Sequence, residues 1–231
     1  YHGWQVQPEA ISVQEVLTKS ISVLLRSEVN LVGCGRTDTG VHARQFFAHF
    51  DLEQPIARDL LQQLAFKLNK MLPKDIAVQQ VYPVRPDHHA RFSPVSRTYK
   101  YFIHQTKDPF LNDTSWYVYG PLDIDLMNAG CKMLIETKDF TSFARLHSQA
   151  KTNICDVTAA FWEREGSQVV FTISADRFLR NMVRAIVGTM VDLGRGKINL
   201  EEFAQVIEKR DRSEAGKSVP GRGLFLWKVE F

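Results

Sequence analysis

Cysteine, long apolar runs and surplus charge are all scarce in this 231-residue sequence, and each scarcity excludes something. The three cysteines, Cys34, Cys131 and Cys155, are odd in number, widely spaced and without a C-x-x-C pair. That argues against a disulfide framework and a zinc site, and it fits a reducing, cytoplasmic setting. No apolar run approaches the roughly 20 residues of a membrane span, and no signal peptide is visible, so a soluble protein without a membrane role is expected. Lys and Arg number 29 against 26 Asp and Glu, a net charge of +3 that permits a nucleic-acid partner without demanding one. The neighbouring His88 and His89 lack a third ligand at useful spacing, so no metal is expected.

What the chain does have is 44% hydrophobic content, enough for a substantial core in one large or two small domains, and one concentrated stretch of unusual chemistry. From Leu31 to Phe50 an apolar lead-in runs into Gly33, Gly35 and Gly40, with Arg36 and Asp38 between them, followed by a segment rich in aromatic and apolar residues. The pattern predicts strand, tight loop, strand, with Arg36 and Asp38 presented together at the mouth of a sheet. A carboxylate beside a guanidinium stays ionised, which makes Asp38 a nucleophile or fixed anion in preference to a general acid. Two other readings use the same residues. A dinucleotide cradle needs G-x-G-x-x-G opening a helix, and here Asp38 fills the third slot and no helix follows. A structural turn with a surface ion pair stays open on spacing alone.

The rest of the chain reads as alternating helices and strands. Ser12-Val13-Gln14-Glu15 is a capping box ahead of Val13, Val16, Leu17, Ile21, Leu24 and Leu25 at helical spacing. Pro55 precedes a second helix whose Leu60, Leu61, Leu64, Leu68 and Met71 face a core until Pro73 stops it. Ile76 to Val84 reads as a strand, and a polar connector leads to an alternating strand from Ser96 to His104 with Arg97, Tyr99, Tyr101 and Ile103 on one face. A third helix spans Asp123 to Lys138, and a less regular stretch runs to Lys151. A hairpin follows, formed by Cys155 to Arg164 and Gln168 to Ala175 about Glu165-Gly166. Asp176 is expected to cap a helix from Arg177 to Val191, closed by Gly194, with Arg177, Arg180 and Arg184 on one face. An arginine row of this kind is also the ordinary solvated face of an amphipathic helix. Asn199 caps a last helix, and a basic, flexible loop from Lys209 to Arg222 leads into a final strand. The order predicts an α+β fold with helices on one face of a mainly antiparallel sheet. There is no residue-level internal repeat, yet both halves run helix, strands, helix, strand, which points to two similar lobes, residues 1–87 and 88–231.

Gly35-Arg36-Thr37-Asp38-Thr39-Gly40-Val41-His42-Ala43 closely resembles the G-R-T-D-x-G-V-H-A loop of the TruA family of tRNA pseudouridine synthases. Further blocks resemble that family in order: Ala90-Arg91-Phe92-Ser93 with Arg97-x-Tyr99-x-Tyr101, Asp139 to Phe143, the Met182-Val183-Arg184 helix, and Pro220-x-x-Gly223-Leu224 before the last strand. The resemblance covers nearly the whole chain. It implies the pseudouridine synthase fold of ferredoxin-like halves with an active-site cleft between them. It also implies that a strand and a Y-D-G-T turn would precede Tyr1-His2-Gly3-Trp4-Gln5, so the chain is expected to lack its natural beginning. Asn181 stands where relatives often carry histidine.

The implied reaction isomerises uridine in the anticodon stem-loop of tRNA, at nucleotides 38 to 40, with no cofactor. The glycosidic bond from N1 to C1′ breaks, the base turns, and C5 joins C1′. Asp38, Tyr99 and Arg184 are the implied catalytic residues. Tyr99 would stack on the base, Arg184 and Arg36 would hold Asp38 ionised and aimed, and Leu224 would wall the base pocket. Charge placement, separately, makes Arg177 and Arg180 candidates to meet phosphates, and Arg36, beside Asp38, is the candidate to fill the space left when the uridine leaves its stack. The resemblance further implies a homodimer with each tRNA spanning both protomers. Two readings from other classes remain: a non-catalytic RNA-binding protein that uses a sheet face bearing Tyr99 and Tyr101 as a stacking platform, and a cofactor-binding oxidoreductase.

Overall fold

The computed structural model describes residues 1–53, 56–145 and 151–231, so Pro55 and most of the irregular stretch before Lys151 lie outside the described residues. The described chain is a mixed α+β structure that divides into two units, one made of residues 1–39 and 47–93, the other of residues 40–46 and 94–231. The chain thus leaves the first unit after Thr39, one residue past Asp38, and re-enters it at Phe47.

In the first unit, helix α1 (Val13–Leu25) starts where the capping box requires, with Ser12 Oγ accepting from the backbone N–H of Glu15, and ends at Arg26 in the left-handed region. Strands β1 (Val32–Gly33) and β3 (Ala48–His49) pair antiparallel over two residues each, flanking the glycine-rich loop as expected. Helix α2 (Arg58–Met71) stops ahead of Pro73 and buries Leu61, Leu64 and Leu68, whereas Leu60 and Met71, expected in the core, are 52% and 45% exposed. Residues 76–84 form no strand. Part of the reason is local: the amide side chain of Asn69 takes both backbone groups of Val78 at 2.7 Å, satisfying them without a neighbouring strand.

In the second unit, β2 (His42–Ala43), β4 (Ser96–His104), β5 (Trp116–Tyr117), β6 (Val157–Glu165), β7 (Gln168–Ala175) and β8 (Leu224–Glu230) form one mixed sheet. Its strand order is β2-β8-β4-β7-β6, with β5 on β4. The β6–β7 hairpin turns at Gly166, whose φ of 60° favours a residue without Cβ. Helices α3 (Ile124–Glu136), α4 (Met182–Gly194) and α5 (Leu200–Lys209) supply Met127, Leu134, Ile186 and Phe203 to a buried cluster. Tyr101, Ile103, Phe171 and Ile173 of β4 and β7 belong to the same cluster. The expected alternation on β4 therefore holds, and Tyr101 faces the core.

Two expectations fail around α4. Residues 177–181 are not helical: the Asp176 carboxylate accepts from the N–H groups of Asp156 and Arg177, which ties it to a turn, and Asn181 sits at φ 67° as the residue before the helix. Asparagine tolerates this left-handed conformation, which interrupts helical geometry at that point. At the other end Gly194 is the last helical residue, and the left-handed position that follows falls on Gly196 at φ 67°.

Candidate active site

The loop bearing Asp38 is held from behind by the segment around Gly3. Gly3 has φ +87°, and a Cβ built on it would come within 2.2 Å of the Thr37 carbonyl oxygen, so only glycine lets the two backbones approach. Trp4, buried, donates its N–H to that same carbonyl at 3.4 Å. The first turn of α1 fixes Gly3 and Trp4 in turn, because the N–H groups of Val13 and Gln14 donate to their carbonyls. Gln14 adds a second clamp, its side chain donating to Leu31 O at 2.7 Å and accepting from Val6 N at 2.9 Å. On the far side Cys34 N donates to Phe47 O at 2.8 Å. Asp38 is half-buried and Arg36 exposed, on a loop whose main chain is pinned before and after them. A cleft of about 200 Å³ beside Arg36 is lined by Trp4, Gln14, Asn30 and Arg91 among others.

The second unit places the other candidate residues. Tyr99 is half-buried on β4, next to a register shift against β8, and meets Phe178 edge-on with ring centroids 5.1 Å apart. Leu224, buried, starts β8 opposite Tyr101. The Tyr101 hydroxyl donates to Pro220 O at 2.8 Å, and burial raises its pKa despite the opposing charges of Arg184 and Arg222. A phenol so placed is a structural donor, not a proton carrier. Arg184 is half-buried on α4, and its Nε donates to Val219 O at 2.7 Å while its own carbonyl accepts from Val219 N.

The segment carrying Val219 was expected to be flexible and is pinned instead. Asn181 Nδ2 and Arg212 Nη2 both donate to Ser218 Oγ, and Gly216 N donates to Thr189 Oγ1. Gly188 of α4 lies so close that a Cβ there would sit 2.0 Å from Lys217 O. Asn181, where histidine was the resemblance's expectation, thus serves as a donor to this segment.

The row of three arginines on one helical face is not formed. Arg184 is on α4, whereas Arg177 and Arg180 precede it on the irregular segment, Arg180 exposed and Arg177 half-buried. The cysteines offer no nucleophile: all three are buried, and burial pushes the Cys131 and Cys155 thiols up to about 12.

Comparison with known proteins gives these positions a context. Residues 131–231 match the family model described as tRNA pseudouridine synthase. Over 231 residues, all of this chain and 91% of the relative, the sequence is 52% identical to tRNA pseudouridine synthase A of Parabacteroides distasonis. The chain belongs to the tRNA pseudouridine synthase family. A tRNA pseudouridine synthase A of Bacteroides thetaiotaomicron is also 52% identical, over all of this chain and 86% of its own length, and one of Acetivibrio thermocellus is 38% identical over all of this chain and 94% of its own length. Enzymes of the tRNA pseudouridine synthase family are isomerases that convert uridine in tRNA to pseudouridine.

Within this family member the supports of the candidate residues were the part missed by sequence reading. Gly3 supports the Asp38 loop by a close main-chain approach and Gln14 by its side-chain amide, while the segment against α4 is held through the Ser218 hydroxyl and the Val219 backbone. A glycine beside a tryptophan at Gly3-Trp4 was the one signal available for the first of them.

Proposed function

We propose that this chain isomerises uridine to pseudouridine in the anticodon stem-loop of tRNA, with Asp38 as the residue that starts the reaction. The observation that carries the reading is likeness over the entire chain to tRNA pseudouridine synthases A, joined to a G-R-T-D loop whose backbone is clamped on both sides. Asp38 begins the chemistry by attack on the uridine or by removing a ribose proton; both routes need a carboxylate held in place. The bond from N1 to C1′ breaks, C5 joins C1′, and the proton lost from C5 is balanced by one gained at N1, so there is no net redox change and no cofactor is required.

In this reading Tyr99 stacks on the target base and assists proton removal from C5. Its edge-on contact with Phe178 supports a fixed ring. Arg184 and Arg36 keep Asp38 ionised and aimed, Leu224 backs the base pocket, and Arg177 and Arg180 take phosphates from the segment ahead of α4. Arg36, exposed beside Asp38, fills the space a uridine vacates when it leaves its stack. The same reading takes the protein as a cytoplasmic homodimer with each tRNA reaching both protomers, which sedimentation with and without tRNA tests.

The decisive experiment is Asp38→Asn assayed on unmodified tRNA with pseudouridine mapped by position. The amide keeps the shape but cannot act as nucleophile or base, so the variant should fold and bind tRNA while making no pseudouridine. Ordinary turnover in that variant would remove Asp38 from the mechanism.

A further inference from the structure

The sheet face opposite the buried cluster of the second unit carries a second ordered set of side chains. Strand β2 pairs parallel with β8, His42 beside Phe225 and Ala43 beside Leu226, and Arg44 N extends the ladder by donating to Leu226 O at 2.9 Å. Because side chains alternate along strands, His42 and Arg44 share a face with Phe225 and Trp227. Each covers one ring: His42 stacks on Phe225 with centroids 4.5 Å apart, and the Arg44 guanidinium lies 4.5 Å from the centre of Trp227.

Their polar atoms are differently employed. His42 Nε2 bonds Asp113 O at 2.9 Å, and a carbonyl only accepts, so that nitrogen carries the hydrogen and is used internally. Lys100, 5.1 Å from the Trp227 ring, is 16% exposed and neutralised by Glu165 at 2.6 Å. Arg44 is exposed and, among the described residues, makes no ion pair. A guanidinium lying on an indole is held by its face while its N–H groups point outward along its edges, the arrangement suited to two parallel hydrogen bonds with a phosphate. Charge across the face supports an anionic ligand at this edge. Glu163 occupies β6 at the opposite margin, the Glu165 carboxylate being taken up by Lys100, and β2 with Arg44 is the outermost strand on the other side.

We propose that Arg44, docked on Trp227, is a tRNA-binding residue that takes a backbone phosphate on the strand leaving the Asp38 loop. This rests on the reading of the chain as a tRNA pseudouridine synthase, and it assigns a residue outside the G-R-T-D-x-G-V-H-A pattern. Arg44 is six residues beyond Asp38 in the chain, so it would anchor RNA by a contact that carries no sequence information.

The test is a salt titration of unmodified tRNA binding to wild type, Arg44→Gln, Arg44→Lys and Trp227→Leu, alongside pseudouridine formation by wild type. Arg44→Gln should weaken binding roughly 3- to 10-fold at low salt and lower the slope of log affinity against log salt by about one. Arg44→Lys should keep most of the slope, because the charge stays. Trp227→Leu should keep the slope and lose affinity, because the charge remains but its seat is gone. Wild-type affinity and slope in Arg44→Gln would overturn the proposal, as would a fall in melting temperature with an unchanged slope, the mark of a purely structural pair. Failure of wild type to make pseudouridine would instead overturn the reading of the enzyme, so the two failures are told apart.

Discussion

The second unit builds its framework from strands of eight and nine residues, β7, β4 and β6, whose ladders run without a gap between β4 and β7. The first unit has two-residue strands, and its Asp38 loop is fixed by single contacts, among them Trp4 to Thr37, Gln14 to Leu31 and Cys34 to Phe47. A long ladder spreads a local fault over many bonds, whereas a loop on single contacts transmits it to the side chain it carries. Position in the first unit is therefore expected to fail before stability does, and in the second unit the order should reverse.

Two glycines make that contrast measurable. Gly3→Ala sets a Cβ against Thr37 O at a left-handed position, and Gly188→Ala sets one against Lys217 O from inside α4. Gly3→Ala should cut single-turnover pseudouridine formation by about 100-fold, the scale of roughly 1 Å of misplacement at a reacting group, while amide exchange protection of β4, β7 and β8 stays at the wild-type level. Gly188→Ala should destabilise by about 1–3 kcal/mol, the usual cost of overpacking, with the loss of protection centred on α4 and 215–219. Wild-type activity in a folded Gly3→Ala would break the comparison, and so would loss of β4 protection in that variant.

Arg184 sharpens it from the other side. Its Nε is committed to Val219 O, so the side chain sits in a seat made by main chain, and lysine has no equivalent of the Nε donor alongside a terminal pair. Arg184→Lys should fall about 10-fold or more in single-turnover rate at saturating enzyme, where weaker RNA binding no longer counts. Loss of the half-buried hydrogen bond to Val219 O should itself cost only about 1 kcal/mol of stability. Equal rates in wild type and Arg184→Lys would return Arg184 to a structural role.

Legibility from sequence followed the range of the interactions. The capping residues Ser12 and Asn199, the alternation of β4 and the glycine turn of β6–β7 are specified within a few residues, and all appear in the structure. Asp176 carried the local signature of a helix cap, but Asp156, twenty residues earlier, takes its carboxylate, and Asn181 interrupts the helix with a conformation no pattern of apolar spacing encodes. Residues 76–84 had strand composition, and the side chain of Asn69 competes for the backbone of Val78 among them. Among the candidate site residues, those proposed to carry chemistry stood out because their types are unusual in their settings. Gly3, Gly188 and Val219 did not, because a close approach between backbones leaves no mark in a single sequence beyond the glycine itself.

The smallest expected effect concerns acid. His49 in the first unit and His104 in the second both have pKa values lowered by burial. The charges of His89 and His88 add to this at His49 and that of Arg222 at His104, while Asp51 and Asp108 respectively oppose it. A folded value below the ordinary 6.5 means that the unfolded ring takes up a proton first. Stability is thus complete above that pH and declines as pH falls through it toward the folded value. The hydrogen bonds separate the two. His49 Nδ1 accepts from the N–H of Ala90 at 3.2 Å, and a protonated ring must forfeit that bond. His104 Nδ1 faces the Ser115 hydroxyl at 2.9 Å, which can accept, so a protonated ring keeps its partner. Between pH 7.5 and 5.5, exchange protection at Ala90 should therefore drop more than protection along β4. His49→Asn, which has no titrating ring, should flatten the drop at Ala90 without altering β4. Loss along β4 equal to that at Ala90, or an undiminished drop in His49→Asn, would show that acid does not act first on the unit held by single contacts.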